Sequence, residues 1–289
     1  MSKVILIDSG SLMFRSIFNY ERMLLNKFNA DSNIKVLPPH YTYLMMILSA
    51  LKKIGVNRED KVIICLEGKS WRKLVYAPYK AQRKDAREAH KLINWDEQFS
   101  FFNDLHDKLN ESTSFYFLRH PLSEADDIIS CACRYFKDEE KIIVSSDGDL
   151  KQLCYYPSTH FFTVTKKCKG SNGVYEFIPD PLKIISDKSK KGDVSDNILV
   201  CSDDTEEDEM LRYDLVNLLK LPDYIETDLI KMLNSLQPKQ ENLNKLPFKN
   251  LAEKYLKIYE KDNVITPDYC SKLLEKRKLR KKKKLTKKV

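Results

Sequence analysis

Three apolar runs of the chain end in carboxylates: Asp8 follows VILI, Glu67 follows VIICL, and Asp147 follows KIIVSS. One acid at a strand end is ordinary. The stretch IIVSSDGDLKQL (142–153) goes further and sets Asp147 and Asp149 on either side of one glycine, Gly148, whose freedom permits a tight turn. Two further groups could join them. SEADD (123–127) offers Glu124, Asp126 and Asp127 at the start of a helical pattern, and KGDVSDN (191–197) offers Asp193 and Asp196 on a turn. Taken alone, the first reads as a capping box between Ser123 and Asp126 and the second as plain turn composition. In an open parallel sheet, however, the carboxyl ends of the strands line the ligand crevice, so strand-end acids converge. Clustered carboxylates repel one another unless cations neutralise them. Ligands that are all oxygen, without His or Cys, point to Mg²⁺ or Mn²⁺. Two such ions about 4 Å apart activate a water and stabilise the leaving oxygen of a phosphodiester, which is nuclease chemistry.

A phosphodiester substrate needs cations facing it. WRKLVYAPYKAQR (71–83) supplies Arg72, Lys73, Lys80 and Arg83, with Trp71, Tyr76 and Tyr79 interleaved. The cations could clamp a scissile phosphate and the rings could stack an unpaired base. The plain alternative is a solvated basic loop with aromatic anchors.

The elements that must position these residues are legible in outline. Strand-length runs at 3–7, 61–66, 114–118 and 141–145 alternate with helical periodicity, as at 41–54 and 124–136. That alternation predicts an α/β fold: a mostly parallel central sheet with helices on both faces. The charged, aromatic stretch at 71–110 is longer than a crossover requires and reads as an insertion, a basic loop followed by a helix. After about residue 198 only helical patterns remain, near 208–220, 226–236, 247–260 and 266–280. The chain therefore divides into a core over 1–200, a helical region over 201–275 and a basic tail over 276–289, with DDTEEDE (203–209) as a solvated loop or acidic helix start.

With 289 residues and 42% apolar composition the chain has enough material for a real core. Its net charge of +8 is local, because ten Lys or Arg fall between Lys276 and Lys288 and leave about −2 for the remainder. The tail is expected to be disordered; it is either simply solvated or an arm whose Lys281 and Lys282 find phosphate backbones. MSKVILID has too few apolar residues for a signal-peptide core, and YLMMILSAL (43–51) falls well short of the roughly 20 residues of a membrane span. Seven cysteines without a C-x-x-C pair read as reduced thiols of a cytosolic protein rather than zinc ligands.

Taken together, KVILID (3–8), GKSWRKLVYAPYKAQR (68–83), EADD (124–127), SSDGDLKQL (145–153) and KGDVSDN (191–197) occur in the order found in the flap endonuclease and 5′-3′ exonuclease family. The chain resembles that family, its phage members above all, over roughly the first 200 residues, and EKYLKIYEKDNVITPDYCSKLL (253–274) extends the likeness. The resemblance implies a PIN-like, flap-nuclease core that removes RNA primers and 5′ flaps in DNA replication and repair, with ribonuclease H activity on RNA–DNA duplexes. It implies two Mg²⁺ ions, with Mn²⁺ as a substitute. Asp8, Glu124, Asp126 and Asp147 would hold the first and Asp149, Asp193 and Asp196 would surround the second, with Glu67 standing where the family carries Asp. Arg72 and Lys80 would be the catalytic basic residues, acting with Asp147 and Asp149. Tyr79 would stack on substrate, and a long helix after Arg83 would arch over the 5′ single strand. The implied partners are DNA with 5′ flaps or ends, RNA–DNA duplex, and a single-stranded-DNA-binding protein or replication clamp. The implied state is a cytoplasmic monomer, in the host cytoplasm for a phage protein.

Two departures stand out. Glu67 displaces its carboxylate by about one C–C bond, ~1.5 Å. The stretch ILVCSDDTEEDEMLRYDL (198–215) is acidic and lacks the glycine of the family's duplex-gripping hairpin. Two alternatives stay open. A PIN-like endoribonuclease would need no stretch as long as 71–110. A catalytically inactive, structure-specific DNA-binding protein would gain little from Asp147, Asp149, Asp193 and Asp196 facing a polyanion.

Overall fold

Val4, Leu6, Ile5 and Ile7 are all fully buried, so the run KVILID is apolar toward both faces and forms the central strand β1 (Lys3–Asp8). The computed structural model describes residues 2–30, 35–168, 171–248, 250–262 and 264–285. After β1 come helices α1 (Ser9–Ala30) and α2 (Pro39–Ile54), then β2 (Lys61–Leu66), two short helices α3 (Arg72–Val75) and α4 (Arg83–Glu88), and α5 (Trp95–Ser112). Strand β3 (Tyr116–Arg119), helix α6 (Ala125–Tyr135) and β4 (Glu140–Ser145) follow. A 3₁₀ segment over Asp149–Tyr155 leads into the hairpin β5 (Thr159–Cys168) and β6 (Ser171–Glu176). The remainder is helical: α7 (Leu182–Lys191), a 3₁₀ turn at Val194–Asp196, α8 (Glu206–Val216), α9 (Asp223–Asn234), α10 (Leu251–Leu256) and α11 (Pro267–Leu285).

The sheet order is β3-β2-β1-β4-β5-β6, parallel throughout except for the last, antiparallel pair. The register aligns Asp8 with Cys65 of β2 and Ile7 with Val144 of β4, so the carboxyl ends of the three central strands open on one edge. Strands β1 to β4 fall where the apolar runs predict them. The β5–β6 hairpin was not anticipated, because the apolar part of THFFTVTKKC is short, Phe161, Phe162 and Val164 among polar residues, and β6 lies at the sheet edge where no apolar run is needed.

Ile5, Ile7 and Ile64 pack on one face with α2 and α5, while Val4, Leu6 and Ile63 pack on the other with α6 and α9. The C-terminal helices are not an independent unit. Leu251, Tyr255 and Cys270 complete the first core, and Leu218, Ile225 and Leu229 complete the second. The start of α8 is an acidic helix start, as one reading of DDTEEDE has it, closed by a capping box between Thr205 and Asp208.

Two expectations are corrected. The stretch 71–110 is not one insertion with a long helix after Arg83: α4 ends at Glu88, and α5 buries Phe102, Leu105 and Leu109 against the sheet as the ordinary crossover to β3. The stretch that departs from the sheet is thus nearer 70–94. The boundary at residue 276 does not mark a helix end, because α11 continues to Leu285 through Lys, Arg and Leu, all good helix formers. Among the described residues, no helix is long and apolar enough to cross a membrane.

Candidate metal and nucleic-acid site

A cleft of about 540 Å³ opens at the carboxyl edge of the sheet, and Asp8, Glu67, Asp126 and Asp147 line it together with Lys80 and Arg83. Each acid is delivered by a different element. Asp8 is the last residue of β1; it is buried, accepts the Ser11 N–H at 3.0 Å and accepts the Ser145 hydroxyl. Glu67 follows β2 and accepts the Ala125 N–H at 3.3 Å at the start of α6. Asp126 lies in the first turn of α6. Asp147 follows β4; its N–H donates to Ser145 Oγ at 2.8 Å, and its Oδ1 accepts the Asp149 N–H at 2.9 Å across the Gly148 turn.

These acids carry more negative charge than their surroundings answer. Burial pushes Asp8 up to about 6; its hydrogen bonds to Ser11 and Ser145 partly offset this, and the neighbouring Asp147 adds to it. Glu67 is reached by solvent along the cleft yet enclosed by protein on most sides, and this desolvation, with Glu124 and Asp8 nearby, raises it to about 7. Asp126 is also raised well above the carboxylate range, by burial first and then by Asp147 and Asp8.

The remaining acids form a second group. Asp149, Asp193 and Asp196 offer oxygens that all lie within 4.8 Å of one another. The ammonium of Lys188, on α7, ion-pairs with both Asp149 and Asp193. Asp193 also accepts the Ser195 N–H at 2.9 Å. Asp196 accepts from Arg83 at 2.7 Å and from the Tyr79 hydroxyl at 3.1 Å, with Lys80 Nζ at 3.6 Å. Lys80 adopts a φ of 55°, uncommon for a residue with a side chain, and its N–H donates to the Asp196 carbonyl at 2.9 Å, which ties the turn to the acids.

Glu124 stands apart, in a knot of cations. It accepts Ser70 Oγ at 2.8 Å, Arg72 at 3.1 Å, Tyr79 at 3.0 Å and the Lys80 ammonium. Burial alone would raise its carboxyl, but Lys80, Arg72 and these hydrogen bonds together outweigh it and hold it at about 2. The capping box of α6 is one residue later than the spacing suggests: Glu124 is the N-cap and Asp127 closes the box, which frees Asp126 to face the cleft.

Three of the expected substrate contacts are buried. Arg72 is 1% exposed, pairs with Glu124 and with Asp127 at 2.9 Å, donates to the Leu215 carbonyl at 2.8 Å, and lies over the Trp71 ring. Trp71 and Tyr79 are likewise buried, so neither ring has a free face for a base. Lys73 and Arg83 are exposed, and Lys80 lines the cleft. The side chains of Lys281 and Lys282 lie outside the described residues. Sequence reasoning passed over Lys188, which carries no motif and meets the acids only because α7 folds back on them. It also passed over the exposed Phe18, which lines the cleft one helical turn beyond Phe14.

Glu67 fits because residue 10 is glycine. A Cβ at Gly10 would lie 2.5 Å from Glu67 Oε1, and the chain beyond Glu67 is tied by the Gly68 N–H to the Ser123 carbonyl at 2.9 Å. Gly10→Ala is therefore expected to fold normally but to push the Glu67 carboxylate aside, lowering cleavage by about 10²-fold. The double variant Gly10→Ala/Glu67→Asp, with its shorter side chain, recovers most of the loss. Kinetics of the two single variants and the double variant check this, and additive losses would refute it.

The raised acids also set a pH dependence. Asp8 and Glu67 bind protons more tightly folded than unfolded, so their contribution to stability is fully present below about pH 4 and is lost as pH rises through 6 to 7. Glu124 and Asp193, both lowered, stay ionised across that window and contribute no slope there. In chelator, Tm should fall between pH 5 and 7.5, and millimolar Mn²⁺ at pH 7.5 should restore it. Melting curves with a flat profile across that range would contradict the arrangement.

An α/β sheet with acids gathered at its carboxyl edge, beside a basic turn, defines a class of phosphodiester-hydrolase folds. Within that class, the chain belongs to the family described as 5′-3′ exonuclease, N-terminal resolvase-like domain, which matches residues 3–178. It is similar to the 5′-3′ exonuclease of Mycoplasmopsis pulmonis (strain UAB CTIP), with 29% identity over 201 residues, 68% of this chain and 61% of that protein. It is similar to ribonuclease H of Enterobacteria phage T4, with 30% identity over 181 residues, 60% of this chain and 57% of that protein. The chain thus spans about three fifths of the length of these curated relatives. Among solved structures it shares the fold of T5 5′-exonuclease with bound divalent metal ions (zinc), at a TM-score of 0.50 and 19% identity, covering 93% of this chain and 91% of that one.

Proposed function

We propose that the protein is a divalent-metal-dependent, structure-specific 5′ nuclease that hydrolyses phosphodiesters at 5′ flaps and ends of DNA and in RNA–DNA duplexes. On this reading it removes RNA primers and flaps in replication and repair, acting as a monomer. The observation that carries it is the meeting of Asp8, Glu67, Asp126 and Asp147 in one cleft with Lys80 and Arg83, while Asp149, Asp193 and Asp196 gather close by. The 5′-3′ exonuclease and ribonuclease H named among its relatives support the substrate class.

The residues fit a pair of hard cations. Every donor is an oxygen, the first group holds acids whose raised pKa values mark unanswered charge, and the second already binds an ammonium as a stand-in cation. Asp8, Glu67, Asp126 and Asp147 would hold one ion, and Asp149, Asp193 and Asp196 the other. Such ions supply a water of lowered pKa as nucleophile and neutralise charge on the phosphate. The protein's own groups do the positioning. Ser11 and Ser145 fix Asp8, the α6 N-terminus fixes Glu67, and Lys80 and Arg83 present positive charge to the phosphate at the mouth. Glu124 positions rather than ligates, because it anchors Lys80.

The experiment is cleavage of end-labelled 5′-flap and nicked RNA–DNA duplexes in Mg²⁺, Mn²⁺ and chelator. Short 5′ products that require metal are expected. Tight flap binding without cleavage in either metal would instead identify an inactive binder, and cleavage confined to single-stranded RNA would identify an endoribonuclease.

A further inference from the structure

The two acid groups differ in how their charge is met. The first has Lys80 as its neighbouring cation. The second is answered in part from within, by two cations for three acids: Lys188 pairs with Asp149 and Asp193, and Arg83 with Asp196. The Lys188 ammonium therefore binds two of the three carboxylates whose oxygens come within 4.8 Å of one another, and so takes up charge that a cation of the second group would need. Lys188 sits in the last turn of α7, about a quarter exposed, on a flexible four-carbon stem that can carry the charge out to solvent.

We propose that Lys188 is a tethered competitor that sets the affinity of the second metal position: an ion enters there only when the lysine swings away. This rests on the two-ion reading given above. The lysine and the ion are mutually exclusive, so the apparent affinity is reduced by the fraction of time the acids stand free of the ammonium. The device answers part of the acids' charge at low metal. It also makes the second position respond to metal concentration, and to substrate phosphates that bring further ligands. Lys188 thus tunes cation affinity without touching substrate.

The test is Mn²⁺ binding to the full chain without substrate, counted by the electron paramagnetic resonance signal of free Mn²⁺, for the native protein, Lys188→Met and Lys188→Arg. Methionine keeps the aliphatic stem and removes the charge; arginine keeps the charge. The native protein should bind one ion tightly and a second more weakly. Lys188→Met should tighten the second ion by about tenfold or more and leave the first unchanged, whereas Lys188→Arg should keep the second weak. The melting temperature gives an independent readout: Lys188→Met should melt lower than native in chelator and gain more from Mn²⁺. Equal second-ion affinity in native and Lys188→Met would overturn the lysine's role while leaving the two-ion reading intact. A single ion in every variant, Lys188→Met included, would overturn both.

Discussion

Replacing Asp147 by Asn is expected to reduce cleavage of a 5′-flap substrate by about 10³-fold while the protein remains folded. Asp147 is the acid shared by the two groups: its charge bears on Asp8 and Asp126 on one side and on Asp149 on the other. Asparagine retains an oxygen to accept the Asp149 N–H and leaves the backbone bond to Ser145 untouched, so the turn across Gly148 keeps its hydrogen bonds. The substitution removes one negative charge from a crowded cluster, and the metal-free variant should melt no lower than the native protein. Loss of cleavage with an unchanged or raised Tm is therefore the signature of a functional acid. A variant that cleaves within tenfold of native would remove Asp147 from the site.

Arg72→Met has the opposite signature. Arg72 is the buried cation that answers both Glu124 and Asp127, and it ties them to the Leu215 carbonyl at the end of α8. Its removal leaves two buried carboxylates short of their partner, which costs about 3–5 kcal/mol. In a chain of this size that lowers Tm by about 10 °C. Arg72→Lys should not restore it, because a single ammonium cannot reproduce the planar fork that reaches three acceptors. At temperatures where the variant stays folded, the loss of cleavage should be far smaller than for Asp147→Asn, since the cleft acids, Lys80 and Arg83 are unchanged. Wild-type Tm with abolished cleavage would return Arg72 to the substrate-binding role that its place in the sequence suggests.

Arg72 also marks how far the sequence could be read. WRKLVYAPYKAQR has the composition of a nucleic-acid contact, and its Lys80 and Arg83 do reach the cleft. Composition does not say which way a side chain turns. Trp71, Arg72 and Tyr79 turn inward because Gly68, Lys69 and Trp71 are held by backbone bonds to residues 121–123, which draws the segment against α6. The same limit explains the shifted capping box: Ser123 and Asp126 have the right spacing, but Glu124 and Asp127 have it too, and the ion pair of Asp127 with Arg72 selects between them. The β5–β6 hairpin and the packing of α5 were hidden for a related reason. An edge strand needs no apolar run, and a crossover helix that is charged along one side looks like an insertion until its buried side is seen.

What the sequence determined by itself was the central sheet and the acids at its edge. Runs buried on both faces must be nearly continuous in apolar residues, and in a parallel sheet the residues that follow them must fall on one side. Asp8, Glu67 and Asp147 were bound to meet once those runs became β1, β2 and β4. What only the tertiary structure decided was which charges answer which acids. Arg72 belongs to Glu124 and Asp127, Lys188 stands between Asp149 and Asp193, and Gly10 leaves room for Glu67. Each of these pairings joins residues on different elements, or lies across a turn whose path the fold sets. The energy of a charge pair depends on distance and burial, which the order of residues does not contain.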